Sequence, residues 1–514
     1  MSVLAVPKVR WAAAVAACAL VAPFAVSSGL SPAEAGGVGS PGAPGIGDAY
    51  FPNYGNGGYD VGHYDIHVRY GVGSEKLRGD TSLTATATQD LSSFNLDLRL
   101  RASKVWVNGD VASFTQSKHE LVVTPATGLT NGAAFDVRVR YAGVPGQVRS
   151  PGIGAWFETP DGAIAAGEPE VAPLWYPSND HPSDKATFDI FVQTRKGTQV
   201  ISNGLLQGRK PVGKDVRWHW KMRTPMATYL ATAVIGDYEI DRGTTPGGVP
   251  YIYGITEHMK GALDRNARRS LRITPRVVDF FTSKFGFYPF DNTGGTLANA
   301  SFGFSLENQT RPNYSKVFFS GGVNHEVIAH ELAHMWWGDT VSVERWQHIW
   351  LNEGFATWSS WFYLVNEPGA DLTLNDVFRA NYRQLRQFPD FWKLPISDPG
   401  RQRLFDYAVY GRGALALQAL RNVIGSADHY QLMRQWAADH RDGNGTVPEF
   451  EALAESISGQ DLTRFFDEWL DQPNRPKPSA DLGFPDSMLK SGSTAPLRRV
   501  PDSMLIASHR GQRY

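Results

Sequence analysis

Cysteine is nearly absent from this 514-residue chain, since Cys18 is the only one. It lies in an apolar N-terminal stretch that we interpret as a cleaved leader, so we expect the mature protein to have no cysteine. A protein without cysteine has no disulfide bonds, and no thiolate can act as a nucleophile or a metal ligand. Any metal site must then be built from histidine and carboxylate side chains.

An excess of charge of one sign is also missing. The chain has 50 Lys and Arg against 51 Asp and Glu, and its formal net charge is −1. Binding to nucleic acid depends on a basic surface, so we expect no nucleic-acid partner. The length exceeds the roughly 250–300 residues at which single cores stop growing. We therefore expect two domains, with three as the alternative.

The N-terminus has the features of a secretory signal peptide. Lys8 precedes an apolar stretch at 11–26, and an Ala-Glu-Ala site follows that ends at Ala35. This pattern predicts a signal peptide over 1–35 and a secreted, extracellular protein. The apolar stretch is shorter than the roughly 20 residues of a spanning helix, so we expect no transmembrane segment in the mature chain. The alternative is a lipoprotein anchored at Cys18.

The rest of the chain changes from strand-like to helix-like patterns. Residues 36–48 are rich in Gly and Pro and predict a linker. Alternating apolar and polar runs with Asn-Gly turns predict an antiparallel β-sandwich-like domain over 49–245. A mainly helical domain is expected over 246–475 and a poorly ordered tail over 476–514. The predicted fold class is α+β. Helices are predicted at 263–285, 324–337, 350–365, 410–424, 427–440, 447–457 and 461–471.

The sequence His330-Glu331-Leu332-Ala333-His334 carries the chemistry. Residues four apart share one face of a helix, so both imidazoles can point at one metal ion. A chance match occurs in on the order of a few per cent of chains this long, and a coincidental His pair on a core helix is the alternative. Eighteen residues separate His334 from Glu353, which is placed to be a third ligand.

Two His and one Glu leave the fourth position of a tetrahedral zinc ion for water, as in catalytic zinc sites. Zinc lowers the pKa of that water toward neutrality, and Glu331 can take its proton as the general base. Asp339 is either a hydrogen-bond partner of a ligand His or an ordinary surface residue.

The pattern H-E-x-x-H, eighteen residues and then N-E-G-F-A resembles the signature of the gluzincin aminopeptidases, the relatives of aminopeptidase N and the leukotriene hydrolases. Residues 176–188 resemble the family's F-P-C-x-D-E-P…K-A-T-F stretch, with Ser178 and His181 in place of Cys and Glu. Residues 410–414 resemble its Y-x-K-G-A element, with Arg412 for Lys, and 465–470 resemble the segment that closes its catalytic domain.

The resemblance implies a thermolysin-like catalytic domain and roles for four further residues. Tyr410 matches the tyrosine that stabilises the developing oxyanion, although residue type alone leaves a packed tyrosine equally open. Glu307 and Asn308 match the G-x-M-E-N loop that binds the substrate's α-ammonium, while Phe304 and Leu306 depart from it. Glu168 occupies the place of the second carboxylate that binds this ammonium. The alternative for the two glutamates is a pair of solvated loop residues.

The predicted function is therefore that of a secreted zinc aminopeptidase of a short, two-domain form, with one Zn²⁺ and with peptides that have a free N-terminus as substrates. An endopeptidase or an epoxide hydrolase with the same zinc chemistry is one alternative. A non-catalytic exported binding protein is the other, although Glu331 and Tyr410 are both present. The preferred N-terminal residue and the oligomeric state do not follow from the sequence.

Overall fold

The computed structural model of this protein describes residues 39–148, 153–489 and 499–506. The predicted signal peptide and Cys18 lie outside these ranges. A β-rich N-terminal half is followed by a mainly helical half that also contains two small sheets. The prediction of an α+β fold is confirmed. Within the described residues, no helix is both long enough and apolar enough to cross a bilayer.

The N-terminal half contains fifteen of the described strands, and most neighbouring strands are antiparallel. The strands are β1 (Ser40–Pro41), β2 (Tyr59–Gly71), β3 (Lys76–Ala87), β4 (Leu91–Asp97), β5 (Arg101–Val107), β6 (Asp110–Ser117), β7 (Glu120–Thr124), β8 (Ala134–Gly143), β9 (Ile153–Glu158), β10 (Ala163–Glu168), β11 (Lys185–Arg195), β12 (Gln199–Ser202), β13 (Leu205–Val212), β14 (Asp215–Ala227) and β15 (Ala233–Gly236).

These strands form an 11-stranded sheet and a 4-stranded sheet. The large sheet has the order β1-β4-β7-β6-β5-β8-β3-β2-β11-β14-β13, and the small one β12-β15-β10-β9. The pairs β1–β4 and β2–β11 are parallel. Buried Tyr64, Ile66 and Val68 of β2 alternate with more exposed neighbours, so one face of the large sheet packs on the core and the other faces solvent.

The C-terminal half combines a 4-stranded sheet and a 2-stranded sheet with helices. Its strands are β16 (Tyr238–Thr244), β17 (Pro250–Thr256), β18 (Thr293–Ala298), β19 (Asn313–Ser315), β20 (Val341–Val343) and β21 (Gly443–Gly445). The 4-stranded sheet has the order β16-β17-β18-β19, and the 2-stranded sheet is β20-β21. Its helices are α1 (Gly261–Leu271), α2 (Thr274–Phe285), α3 (His325–Ala333), α4 (Trp350–Leu364), α5 (Leu374–Gln384), α6 (Pro389–Trp392), α7 (Tyr407–Ile424), α8 (Ser426–Asp439), α9 (Val447–Ser458), α10 (Thr463–Phe466) and α11 (Asp486–Leu489). β16 precedes the predicted domain boundary at residue 245 and pairs with β17 after it.

Three predicted helices differ from the observed ones, and the one predicted at 461–471 is the short α10 followed by a π-helical turn over Asp467–Asp471. The segment 263–285 forms α1 and α2 rather than one helix, because Pro275 cannot donate to the preceding turn and instead lies in the first turn of α2. The helix predicted at 324–337 ends at Ala333, and the chain then turns back toward β20. The helices α5 and α6 were not predicted, although Thr373 and Asp376 form a capping box at the start of α5.

The expectation of a poorly ordered tail is wrong for its described part. Leu482, Phe484 and Ile506 are buried in the core. The carbonyl of Leu482 accepts a hydrogen bond from the Trp469 indole at 3.1 Å, and the Ile506 amide donates to the Asn381 side chain at 2.7 Å. The apolar residues that anchor the tail are few and irregularly spaced. The sequence there is rich in Pro, Ser and Arg, and the burial of these apolar residues was therefore not predicted.

Arg412 explains how the segment from Asp467 to Gln472 is held. Its buried guanidinium donates hydrogen bonds to the backbone carbonyls of Trp392, Leu394, Glu468, Trp469 and Gln472. A lysine at this position has only three donors. The Arg at this place in the Y-x-K-G-A element therefore fixes the closing segment against α7 through several carbonyls at once.

The helices α4 and α7 cross at two glycines, Gly354 and Gly413. A Cβ atom on Gly413 would lie 2.8 Å from the Cα of Gly354, and one on Gly354 would lie 2.9 Å from the Cα of Gly413. The obstructing atoms are backbone, so no side chain can move aside. This crossing sets the distance between Glu353 on α4 and Tyr410 on α7.

The variant Gly413→Ala should push α4 away from α7. Overpacking of this kind costs about 1–3 kcal/mol, so the melting temperature should fall, and the catalytic activity proposed below should fall with it. Gly321→Ala is the control, because a Cβ there meets nothing within 4 Å. Equal melting temperatures of the two variants would show that the close contact between Gly354 and Gly413 does not control the stability of the protein.

Asp48 fixes the N-terminal segment to both halves of the protein. One carboxylate oxygen accepts from the Tyr50 and Phe51 amides at 2.8 and 2.9 Å. The other accepts from the Trp346 amide at 2.9 Å and lies 3.3 Å from His181 Nε2. Burial raises the pKa of Asp48, but the hydrogen bonds from His181, Trp346 and Phe51 outweigh it and lower the pKa to about 2. His181, a departure from the family motif, thus has a carboxylate partner.

Asp48→Asn should destabilise the protein in a pH-dependent way. Because the folded-state pKa is below the value of about 3.9 in an unfolded chain, Asp48 contributes stability above about pH 4 and loses it as the pH falls toward 2. The difference in urea midpoint between wild type and variant should therefore be largest at neutral pH and shrink below pH 4. Exposed Asp110, changed to Asn, serves as the control. A difference that stays constant with pH would contradict this role.

Candidate metal centre and active site

The helix α3 brings the two histidines together. Asn324 caps the helix by accepting a hydrogen bond from the Val327 amide at 3.1 Å. His330 lies in the last turn and His334 directly follows the helix. Both are buried, and their Nε2 atoms are 3.1 Å apart. The local helix therefore produces the pair of nitrogens that the sequence predicts.

Glu353 completes the centre from α4. Its Oε2 atom is 3.4 Å from the Nε2 atoms of both His330 and His334. The three ligand atoms lie within 4.8 Å of one another and are buried. The carboxylate is supplied by a different helix, so this convergence depends on the packing of α3 against α4.

The residues of this centre fit a zinc ion. His334 Nδ1 donates to the Trp337 carbonyl at 2.8 Å, which fixes the ring and directs Nε2 at the centre. Glu353 Oε2 is buried, and no hydrogen-bond donor reaches it within the described part of the chain. Two imidazoles and one carboxylate are the donor set of catalytic zinc, and a cation here would neutralise a buried charge.

The charge of Glu353 is held in place by its neighbours. Burial raises the pKa of this carboxyl, but the charge of His334 and the close approach of both histidine rings outweigh burial and lower the pKa to about 2. Glu353 is therefore ionised at neutral pH, as a metal ligand must be.

Glu331 lies beside the centre without belonging to the ligand set. A carboxylate oxygen of Glu331 lies within 4.8 Å of ligand atoms of Glu307 and His334. Burial raises the pKa of Glu331 well above its usual value, and the charge of His334 acts in the opposite direction. A raised pKa makes this carboxylate a stronger proton acceptor, which suits a general base.

Tyr410 reaches the centre from α7. Its hydroxyl donates to Glu353 Oε1 at 3.1 Å, and its ring is stacked on that of His330 at a centroid distance of 6.1 Å. Burial raises the pKa of Tyr410 well above its usual value, so the phenol keeps its proton. The residue is a hydrogen-bond donor within the site and not merely a packed tyrosine.

Two further carboxylates line the same site. Glu307 and Glu168 are 3% and 5% exposed, which excludes the alternative that they are solvated loop residues. The Tyr229 hydroxyl donates to Glu307 Oε1 at 3.3 Å, and no donor reaches Glu168 Oε1 among the described residues. Burial raises the pKa of Glu168 well above its usual value, and the charge of Glu307 adds to this.

Asn308 supports the loop that carries Glu307. Its side-chain amide donates to the Leu230 carbonyl at 2.9 Å, and its oxygen accepts from Asn313 at 2.6 Å. Both polar ends of the Asn308 side chain are thus bonded to other groups of the protein. Nearby, Phe304 packs against the rings of Phe302 and Phe157 at 5.0 and 6.0 Å, so this departure from the family loop fills an aromatic cluster.

Asp339 is fully buried, so it is not a surface residue. His334 Nδ1 donates its hydrogen bond to the Trp337 carbonyl and not to Asp339. Burial raises the pKa of Asp339 well above its usual value, and the charge of Glu307 is the second cause of this rise. The site therefore holds more buried carboxylate than the sequence prediction assigned to it.

Three supporting residues were not predicted. Tyr229 touches Glu307, and nothing in its local sequence marks it. Lys185 Nζ donates to the carbonyls of Asp339, Thr340 and Gly443 and so links the N-terminal half to the loop after α3. Arg311 donates to backbone carbonyls at Ser202, Gly204, Ile252 and Thr293, and thereby holds the Glu307 loop. The K-A-T-F stretch was the available signal for Lys185, and nothing in the local sequence marks Arg311.

The fold and the ligand set define a zinc metalloprotein in which two histidines from one helix and a glutamate from the next hold the metal. Two family models match the chain: Peptidase M1 N-terminal domain over residues 61–230 and Peptidase family M1 domain over residues 320–469. The chain belongs to peptidase family M1, and zinc is its cofactor. The family resemblance seen in the sequence is thereby confirmed.

Curated relatives are longer than this chain. A probable M1 family aminopeptidase 2 from Encephalitozoon cuniculi is 24% identical over 486 residues, which cover 86% of this chain and 54% of that protein. Aminopeptidase N from Streptomyces lividans is 29% identical over 321 residues, 58% of this chain and 36% of that protein. The chain spans about half the length of the first of these relatives.

Solved structures of similar extent also match. The M1 zinc metallopeptidase from Deinococcus radiodurans has a TM-score of 0.72 at 27% identity, covering 85% of this chain and 100% of that one. A mutant of the same enzyme bound to a Tyr-Ser-Ala substrate has a TM-score of 0.73 at 26% identity, with the same coverage. The two-part architecture described above is therefore found in an experimental structure.

Proposed function

We propose that this protein is a zinc aminopeptidase that releases N-terminal residues from peptides. The observation that carries the proposal is the position of Glu307 and Glu168, two buried carboxylates beside the metal centre. Buried anions need a cationic partner, and a substrate α-ammonium is a cation of suitable size. The peptide bound to the Deinococcus enzyme supports a peptide substrate.

Each residue of the site has a distinct part in this reaction. Zinc held by His330, His334 and Glu353 would lower the pKa of water and polarise the scissile carbonyl. Glu331 takes the proton from the attacking water and delivers it to the leaving amine.

Tyr410 donates its hydroxyl proton in a hydrogen bond to the oxyanion as it forms, which stabilises the transition state more than the substrate. Glu307 and Glu168 accept hydrogen bonds from the α-ammonium and so place the first peptide bond, rather than an internal one, at the metal centre. Asn308 keeps the Glu307 loop in position through its contacts with Leu230 and Asn313.

Glu331→Gln should keep the metal and lose about 100-fold or more in kcat, because the amide cannot accept the proton. Glu326→Gln is a matched control on the same helix. Glu326 is buried and bonded to Ser360, and burial raises its pKa to about 8, so glutamine closely resembles its neutral form at pH 7. Zinc content and turnover of both variants should be measured; full activity of Glu331→Gln would contradict the proposed base.

The requirement for a free α-ammonium is tested with an aminoacyl anilide and its N-acetyl form. Only the free amine should be cleaved, and Glu307→Gln should lower kcat/KM for it by about 100-fold, since removing one partner of a buried ion pair costs several kcal/mol. Equal cleavage of both substrates would point to an endopeptidase. Absence of hydrolysis by the zinc-loaded wild type would support a binding protein or an epoxide hydrolase instead.

We also propose that the mature protein is exported, with cleavage after Ala35. The support is the sequence pattern of Lys8, the apolar stretch 11–26 and the Ala-Glu-Ala site. Mass spectrometry of the protein recovered from the culture medium should find Gly36 as the first residue. A lipid-modified N-terminus at Cys18 would instead establish the lipoprotein alternative.

A further inference from the structure

A second cluster of metal-ligating side chains lies in the N-terminal half, separate from the residues of the catalytic site. His119 lies in the two-residue turn between β6 and β7, Glu120 begins β7, and Asp97 ends β4. Their ligand atoms all lie within 4.8 Å of one another. The proposed aminopeptidase chemistry uses none of the three.

One imidazole nitrogen faces three oxygen acceptors, which is more than its single N–H group can donate to. His119 Nε2 is 2.9 Å from the Asn53 carbonyl oxygen, 3.3 Å from Glu120 Oε1 and 3.8 Å from Asp97 Oδ1. An N–H group at this position has one hydrogen to donate. The spacing is similar to that of the catalytic centre, where the ligand atoms are 3.1–3.4 Å apart.

Each carboxylate is held by one oxygen and directs the other at His119. Asp97 Oδ2 accepts from the Asn56 side chain and the Asp180 amide, both at 2.9 Å. Glu120 Oε2 accepts from the Asn95 side chain at 3.0 Å. Asp97 Oδ1 and Glu120 Oε1 are buried, and neither accepts a hydrogen bond in the ranges that the structure describes.

This arrangement repeats that of Glu353, whose Oε1 is held by Tyr410 while Oε2 faces the histidines. Amide groups that hold the far oxygen of a carboxylate are typical of metal ligands, because they fix the orientation of the oxygen that binds the ion. Asp97 is only 1% exposed, so bulk water does not solvate the oxygen that faces His119.

We propose that His119, Asp97, Glu120 and the Asn53 carbonyl bind a second zinc ion. The two carboxylates balance the charge of a divalent cation. The imidazole favours zinc over calcium or magnesium, which prefer oxygen ligands alone. Four protein ligands leave no open position, so the site is structural and ties the segment around Asn53 to β4 and β7.

Metal counting tests this inference. The purified mature protein is loaded with Zn²⁺, dialysed into metal-free buffer and analysed by inductively coupled plasma mass spectrometry. Wild type should retain about two zinc ions per chain and His119→Gln about one, as expected for the loss of a ligand from a four-coordinate site. The aminopeptidase activity of His119→Gln should remain, because the catalytic centre is intact. With added Zn²⁺, the melting temperature of this variant should stay below that of the wild type.

Matched variants separate the outcomes. His67→Gln, a histidine whose Nε2 lies 3.0 Å from Asp65, should keep the wild-type zinc content. Glu120→Gln, with a partly exposed side chain, takes the place of His119→Gln if that variant fails to fold. A wild type that holds one zinc, or a content unchanged by both substitutions, would overturn the inference. It would indicate a protonated His119 bridging two carboxylates, and the proposed catalytic function would stand.

Discussion

Buried negative charge is the constraint on which the rest of this structure depends. Glu307, Glu331 and Glu353 surround His334 and are all buried, and Glu168 lies close to them. Like charges at low dielectric are tolerated only where cations balance them. The zinc ion balances part of this charge, and the α-ammonium of a substrate is proposed to balance another part. In the proposed function, the carboxylates that bind the metal and those that bind the free N-terminus therefore form one arrangement.

Buried cations hold the frame around that site. Lys185, Arg311 and Arg412 direct their donors at backbone carbonyls rather than at carboxylates. Each links segments far apart in the chain: Lys185 joins the β-rich half to the loop after α3, Arg311 fixes the Glu307 loop, and Arg412 fixes the closing segment to α7. Hydrogen bonds from charged donors are stronger than neutral ones, so a few such residues rigidify a site built from several loops.

The sequence predicted the division into a β-rich half and a helical half, because alternation with a period of two and helical periodicity differ over long stretches. It also predicted the helix with His330 and His334, whose geometry depends on a spacing of four. It did not predict the break at Pro275 between α1 and α2, nor the packing of Leu482, Phe484 and Ile506, because isolated apolar residues in a polar segment have no period. Tyr229 was missed for a related reason, since only tertiary contact with Glu307 distinguishes it.

The sequence by itself determined which residue types are available for chemistry: no thiolate in the predicted mature chain, two imidazoles one helical turn apart and a set of glutamates in recognisable motifs. Only the tertiary structure decided which of these share a site. Glu353 meets the histidines because α4 packs against α3, Tyr410 meets Glu353 because Gly354 and Gly413 let α4 and α7 approach, and Asp97 meets His119 because β4 pairs with β7. Local spacing fixes geometry within one element, whereas convergence of distant elements depends on how their buried faces pack.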